Sequence, residues 1–214
     1  IQELLDAEAP LLDPKDADTA IFYSISNAQK GLAGISFGSF LIKRVVDNLA
    51  AEFKGLKTFA TLSPAPGFRS WLDGQLIAGE EGLLTAAEQK AIAAAGAKDG
   101  GLKAALVNPD WHHDDALTDA LRGPLMRLCA RYLIREQREN GRAVDPVTHF
   151  HLSNGARIGR LCWMGDRSPK GLQQSAGMMI NYVYKLAEIE DNHEAYTSKG
   201  KIIANSAVRG LVKS

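Results

Sequence analysis

The chain has 214 residues, 45% of them apolar, which is long enough to bury a core of its own. Its 25 Lys plus Arg balance its 25 Asp plus Glu, so there is no basic field for a nucleic-acid backbone and no acidic solvating tail. Cys129 and Cys162 lie far apart and outside any Cys-x-x-Cys pair, which argues against structural zinc and for free thiols in a reducing cytosol. No apolar run reaches the ~18 residues of a membrane span, and no charged-then-apolar leader opens the chain. The expectation is a soluble, cytoplasmic protein without a membrane or nucleic-acid partner.

In chain order, residues 1–18 are helix-like and then broken by Pro10 and Pro14, an approach segment rather than core. Ala20 to Ser26, AIFYSIS, is short and rich in β-branched and aromatic residues, which suits a central strand. After the glycine-punctuated NAQKGLAGISFG, the stretch SFLIKRVVDNLAAEF spaces Phe40, Leu41, Val45, Leu49 and Phe53 near a 3.6-residue period and predicts an amphipathic helix. A second strand at Lys57 to Leu62 completes a βαβ-like unit. From about 74 to 141 the chain turns alanine-rich and charged, a helical insertion between core strands. Thr85 and Glu88 have capping-box spacing, GAKDGG reads as a loop, and a helix from Asp115 onward is expected to kink or break at Gly123-Pro124. Asn154-Gly155 is a hairpin signal, so His149 to Ser153 is predicted to pair antiparallel with Arg157 to Met164. Ser168 and Pro169 look like an N-cap and first helical residue, MMINYVYKL like a strand, and the remainder like helical turns.

Three places could carry chemistry. In QKGLAGISFGSF, glycines at 31, 34 and 38 permit close backbone approach, and the helix start beyond them favours a phosphate. The spacing is neither a dinucleotide fingerprint nor a Walker loop, so phosphate binding and an ordinary tight turn both remain open. The loop has some likeness to the acyl-CoA loop of GNAT acetyltransferases, with Gln29 one residue out of step. Ser63 sits in T-L-S-P-A rather than in a nucleophile elbow, and Pro64 removes the N–H that an elbow would give its oxyanion hole. It is either a turn-capping serine or an orienting one. In H-F-H-L-S, strand alternation would place His149 and His151 on one face. Tyr182 and Tyr184 share a face too, as packing residues or as donors beside an anion. His112, His113 and His193 read as loop or surface residues, and no metal site is expected.

FYSISNAQKGLAGISFGSFLIKRVV, FATLSPAPGFRSWL, DPVTHFHLSNGARI and NYVY resemble, in that order, the catalytic domain of the malonyl-CoA decarboxylase family. The likeness runs from about Ala20 to the C-terminal helix and is weakest between about Gly74 and Gly141. The resemblance implies an α/β fold of GNAT type, a mixed sheet flanked by helices, over residues 19–214. It also implies a preceding helical domain that mediates homo-oligomerisation. It puts CoA-thioester contacts at Ala33, Gly34, Ile35, Ser36, Phe37, Gly38 and Ser39. The catalytic serine falls on Ser63 and the catalytic histidine on His151, with Tyr184 near the substrate and no counterpart for His149. The ending Val-Lys-Ser lacks the peroxisomal Ser-Lys-Leu of some members.

The reaction so implied turns malonyl-CoA into acetyl-CoA and CO2 without a cofactor, because the thioester carbonyl is the electron sink. Ser63 would orient the carboxylate or the histidine, and His151, titrating near neutrality, would supply the proton. A CoA-dependent acyltransferase and a CoA-binding or oligomerisation module without turnover are the rival readings.

Overall fold

Four strands, β1 (Thr19–Tyr23), β2 (Thr58–Pro64), β3 (Arg157–Cys162) and β4 (Met179–Tyr184), form one mixed sheet in the order β1-β2-β4-β3. The computed structural model describes residues 7–10, 13–23, 37–97 and 101–213. β1 and β2 run parallel, joined through helix α1 (Phe37–Glu52) as the βαβ reading expects, and β4 lies antiparallel to both β2 and β3. Residues 24–26 of the first predicted strand lie outside the described residues, as do 98–100 of the GAKDGG loop. Among the described residues β1 is an edge strand, not a central one, and it leaves Ile21 37% and Tyr23 49% exposed. Its composition marks a strand but carries no information on which neighbours it acquires.

The buried face of α1 is Ile42 and Val46 with Leu49 packed beside them, while Leu41 points outward. The predicted apolar stripe is therefore displaced by one residue. Between β2 and β3 the chain builds α2 (Phe68–Ala78), α3 (Ala86–Ala94), α4 (Gly101–Val107) and α5 (Asp115–Arg135). The capping box at Thr85 and Glu88 forms as read, and Glu88 also pairs with Arg127 of α5 at 2.6 Å. α5 runs through Gly123-Pro124 as one helix, without the break that is one of the two expected outcomes. An interior proline costs about 3 kcal/mol, whereas Leu121, Leu125 and Leu128 are each wholly buried on one continuous face. At about 1.5–3 kcal/mol per buried leucine, packing outweighs the lost hydrogen bond.

The largest correction concerns residues 146–153, which form helix α6 (Pro146–Ser153) and not a strand. Asp145 accepts the N–H groups of Val147 and Thr148 as N-cap, and Pro146 occupies the first helical turn. Asn154 closes the helix, and Gly155 follows it at φ 77°, the left-handed conformation of a residue just past a helix end. Asn-Gly thus acts as a helix stop, and β3 pairs with β4 instead. α7 (Pro169–Ser175) starts from the Ser168 cap as read, and α8 (Ile189–Lys199) and α9 (Ser206–Leu211) complete the fold.

Candidate active site

Phe59, Thr61 and Ser63 alternate along one buried face of β2, and Ile180, Tyr182 and Tyr184 do the same on β4. Because Phe59 is opposite Tyr184 and Ser63 opposite Ile180, the two sets share one side of the sheet. α6 lies over that side and buries Thr148, His151 and Leu152, the i, i+3, i+4 face of a helix.

His151 reaches both strands at once. Its Nε2 is 3.0 Å from Ser63 Oγ and its Nδ1 is 2.9 Å from the Tyr184 hydroxyl. The ring stacks on Tyr182 with centroids 4.4 Å apart. Ser63 and His151 retain only 5% and 1% exposure. Ser63 donates its hydroxyl hydrogen to Thr61 Oγ1 at 3.1 Å, and the Tyr182 N–H donates to the same oxygen at 3.2 Å.

Burial sets the protonation of this network. Desolvation pushes the His151 imidazole down to about 3 and the Tyr184 phenol well above its ordinary range, so both are neutral near pH 7. The expected titration of His151 near neutrality is corrected by this burial. With the Ser63 hydrogen committed to Thr61, Ser63 Oγ accepts from His151, which places the single imidazole proton on Nε2. Nδ1 then accepts from the Tyr184 hydroxyl. The run Tyr184 to His151 to Ser63 is polarised to deliver a proton toward Ser63, whereas a base activating a serine nucleophile would present a lone pair there.

Behind the ring lies a second network that sequence reading did not single out. The Asp145 carboxylate, 1% exposed, accepts from Val147 N, Thr148 N and Thr148 Oγ1 through Oδ1, and from Gly67 N and the Tyr132 hydroxyl through Oδ2. Thr148 Oγ1 also lies 2.6 Å from the hydroxyl of Tyr182, the residue stacked on His151. The available signal was Asp-Pro at 145–146, the same cap pattern that Ser-Pro shows at 168–169.

Ser63, His151 and Tyr184 are therefore brought together. His149 is not: it faces Tyr196, whose hydroxyl lies 2.8 Å from its Nδ1, and burial and nearby Arg142 lower its proton affinity. His112 and His193 bond the backbone carbonyls of Pro109 and Ser153. Ala33, Gly34, Ile35 and Ser36 lie outside the described residues, while Phe37, Gly38 and Ser39 open α1. Among the described residues, no three His, Cys, Asp or Glu side chains gather to hold a metal ion, and no helix is long and apolar enough to cross a membrane.

Residues 1–214 match the family described as malonyl-CoA decarboxylase C-terminal domain. The chain is 43% identical over 211 residues to the mitochondrial malonyl-CoA decarboxylase of Anser anser anser, covering 94% of this chain and 42% of that protein. It is 46% identical over 200 residues to the one of Mus musculus, covering 90% and 40%. A crystal structure of malonyl-CoA decarboxylase from Rhodopseudomonas palustris superposes with a TM-score of 0.85 at 47% identity, over 98% of this chain and 45% of that one. One from Agrobacterium vitis gives 0.85 at 43% identity, over 99% and 49%. The chain spans less than half the length of these relatives.

Proposed function

The chain belongs to the malonyl-CoA decarboxylase C-terminal domain family, and from that premise we propose that it converts malonyl-CoA to acetyl-CoA and CO2 through Ser63, His151 and Tyr184. The observation that carries the reading is the single polarised run of hydrogen bonds through these three buried side chains. Loss of CO2 breaks the bond between C2 and the carboxylate and leaves its electron pair on C2, delocalised into the thioester carbonyl as an enolate. The substrate is its own electron sink, so the reaction calls for no metal, biotin or pyridoxal.

On substrate binding Ser63, stiffened by Pro64, turns its hydroxyl hydrogen from Thr61 Oγ1 to the malonyl carboxylate and holds that group out of the thioester plane, so the breaking bond overlaps the carbonyl π system. C2 of the enolate is far more basic than imidazolate or phenolate, so a neutral donor is acid enough. His151 gives its Nε2 proton to C2 and the Tyr184 proton follows onto Nδ1; after product leaves, a solvent proton returns to Nε2 and the Nδ1 proton goes back to the phenolate, which restores the starting tautomer. The loop from Ala33 to Ser39 takes the CoA thioester, and backbone N–H groups there stabilise the enolate oxygen, each worth about 3 kcal/mol of barrier. Residues 1–18 lead in from a helical domain through which the protein self-associates, and the whole works in the cytoplasm.

The test is to quantify acetyl-CoA and CO2 from malonyl-CoA for the chain and for Ser63→Ala and His151→Asn. Equal yields from the parent, with turnover down about 10²-fold or more in both variants while CoA still binds, support the reading. A malonyl or acetyl adduct trapped on Ser63 by mass spectrometry overturns the orienting role.

A further inference from the structure

We propose that Asp145 is a positioning residue that holds the His151 ring against Ser63 by clamping the two segments that carry them. The inference uses the decarboxylase reading only for its kinetic readout. Ser63 and His151 are 88 positions apart, on a strand and a helix with no covalent connection near the site. Gly67, four residues beyond Ser63, donates its N–H to Asp145 Oδ2 at 3.3 Å. Thr148, three residues before His151, donates both its N–H and its hydroxyl to Asp145 Oδ1, at 2.9 and 3.2 Å. One carboxylate therefore ties the exit of β2 to the first turn of α6.

Two further contacts fix its place. The Tyr132 hydroxyl of α5 donates to Oδ2 at 3.3 Å, and it stands where a Cβ on Gly67 would fall, only 2.2 Å away. A side chain at 67 would thus collide with the hydroxyl that shares Oδ2 with the Gly67 N–H. On the other side, Thr148 links Asp145 to the Tyr182 hydroxyl, and the Tyr182 ring supports the imidazole from below. Five donors converge on a group that is 1% exposed. Helix capping alone needs Oδ1 only. Oδ2 is free to reach across to β2, and it does.

Asp145→Asn separates the two duties. An asparagine caps a helix about as well as an aspartate through its one carbonyl oxygen, but it turns an N–H group toward Gly67 N–H, where two donors meet. The chain labelled with [15N]histidine is compared with this variant, the His151 ring signals being assigned by their loss in His151→Asn. The expected result is a folded variant whose two His151 ring nitrogens move toward the averaged shifts of a freely tautomerising imidazole. Its kcat for malonyl-CoA should fall about 10–10²-fold with KM within about twofold, the signature of a misplaced reacting group. Unchanged ring signals with unchanged kcat would overturn the proposal. If the parent shows no malonyl-CoA turnover, the decarboxylase reading fails, and the ring signals alone decide for or against Asp145. Should Asp145→Asn not fold, Tyr132→Phe, which removes one donor to Oδ2 and leaves the cap intact, is read the same way: displaced His151 signals support the clamp and unmoved ones overturn it.

Discussion

Neutrality of His151 has a consequence for stability as well as for chemistry. Its imidazole is held down to about 3 in the folded chain against 6.5 when free. Between those values the unfolded chain binds a proton that the folded one refuses, so folded stability is full above about pH 6.5 and falls as pH drops toward 3. At pH 4.5 the loss from this one group is on the order of 2–3 kcal/mol. Urea midpoints at pH 7 and 4.5 for the parent and His151→Asn check this: the variant should lose less stability on acidification, and equal losses would remove the buried-neutral assignment. Tyr184 touches the ring at Nδ1, and in the proposed mechanism it acts through it. Tyr184→Phe leaves Nδ1 without its donor, and kcat should fall about 10–10²-fold, less than for a direct acid, with KM for malonyl-CoA little changed. A Phe variant with full kcat in steady-state assays would show that the phenol is packing alone.

α6 and its stop carry the geometry at the next scale. Gly155 has φ 77°, and a Cβ there would lie 2.2 Å from Ile189 O and 2.7 Å from its Cγ2. Gly155→Ala combines left-handed strain with a collision and should destabilise by about 2–4 kcal/mol. Gly79→Ala, at φ 67° with open space around it, should cost only the conformational part, about 1–2 kcal/mol. Urea titrations of the pair separate the two contributions, and equal losses would show that α8 yields. The same helix shows how much of the site could be read in advance. Ser63, His151 and Tyr184 were legible through ordered motifs, but the element bearing His151 was not. Period-two alternation in H-F-H-L-S and the Asn-Gly pair both suggest a hairpin, yet Asn-Gly satisfies a helix end equally well. The Asp145-Pro146 cap, which decides between them, is local chemistry that can be read. The reach of Oδ2 to Gly67 and Tyr132 is not, because it depends on how α2, α5 and α6 meet.

The βαβ opening and the helices between β2 and β3 follow from periodicity and capping, the mixed sheet is implied by the family resemblance alone, and the strand order by neither. Nothing local tells β1 that it takes an edge, or β4 that it inserts between β2 and β3 after more than a hundred residues. That insertion is what makes the site, since it sets Tyr184 and Tyr182 beside the strand bearing Ser63 and leaves one face for α6. On the proposed mechanism, the burial that neutralises His151 would also keep bulk water from the enolate, so the proton would come from the network and be replaced from solvent once per turnover.

Turnover of malonyl-CoA in D2O, with CO2, acetyl-CoA and free CoA quantified and the acetyl group weighed, tests that claim most directly. The account predicts CO2 and acetyl-CoA in equal amounts, with one solvent deuterium entering each methyl group above the exchange seen without protein. Free CoA with malonate, or acetyl-CoA without solvent deuterium, would contradict it.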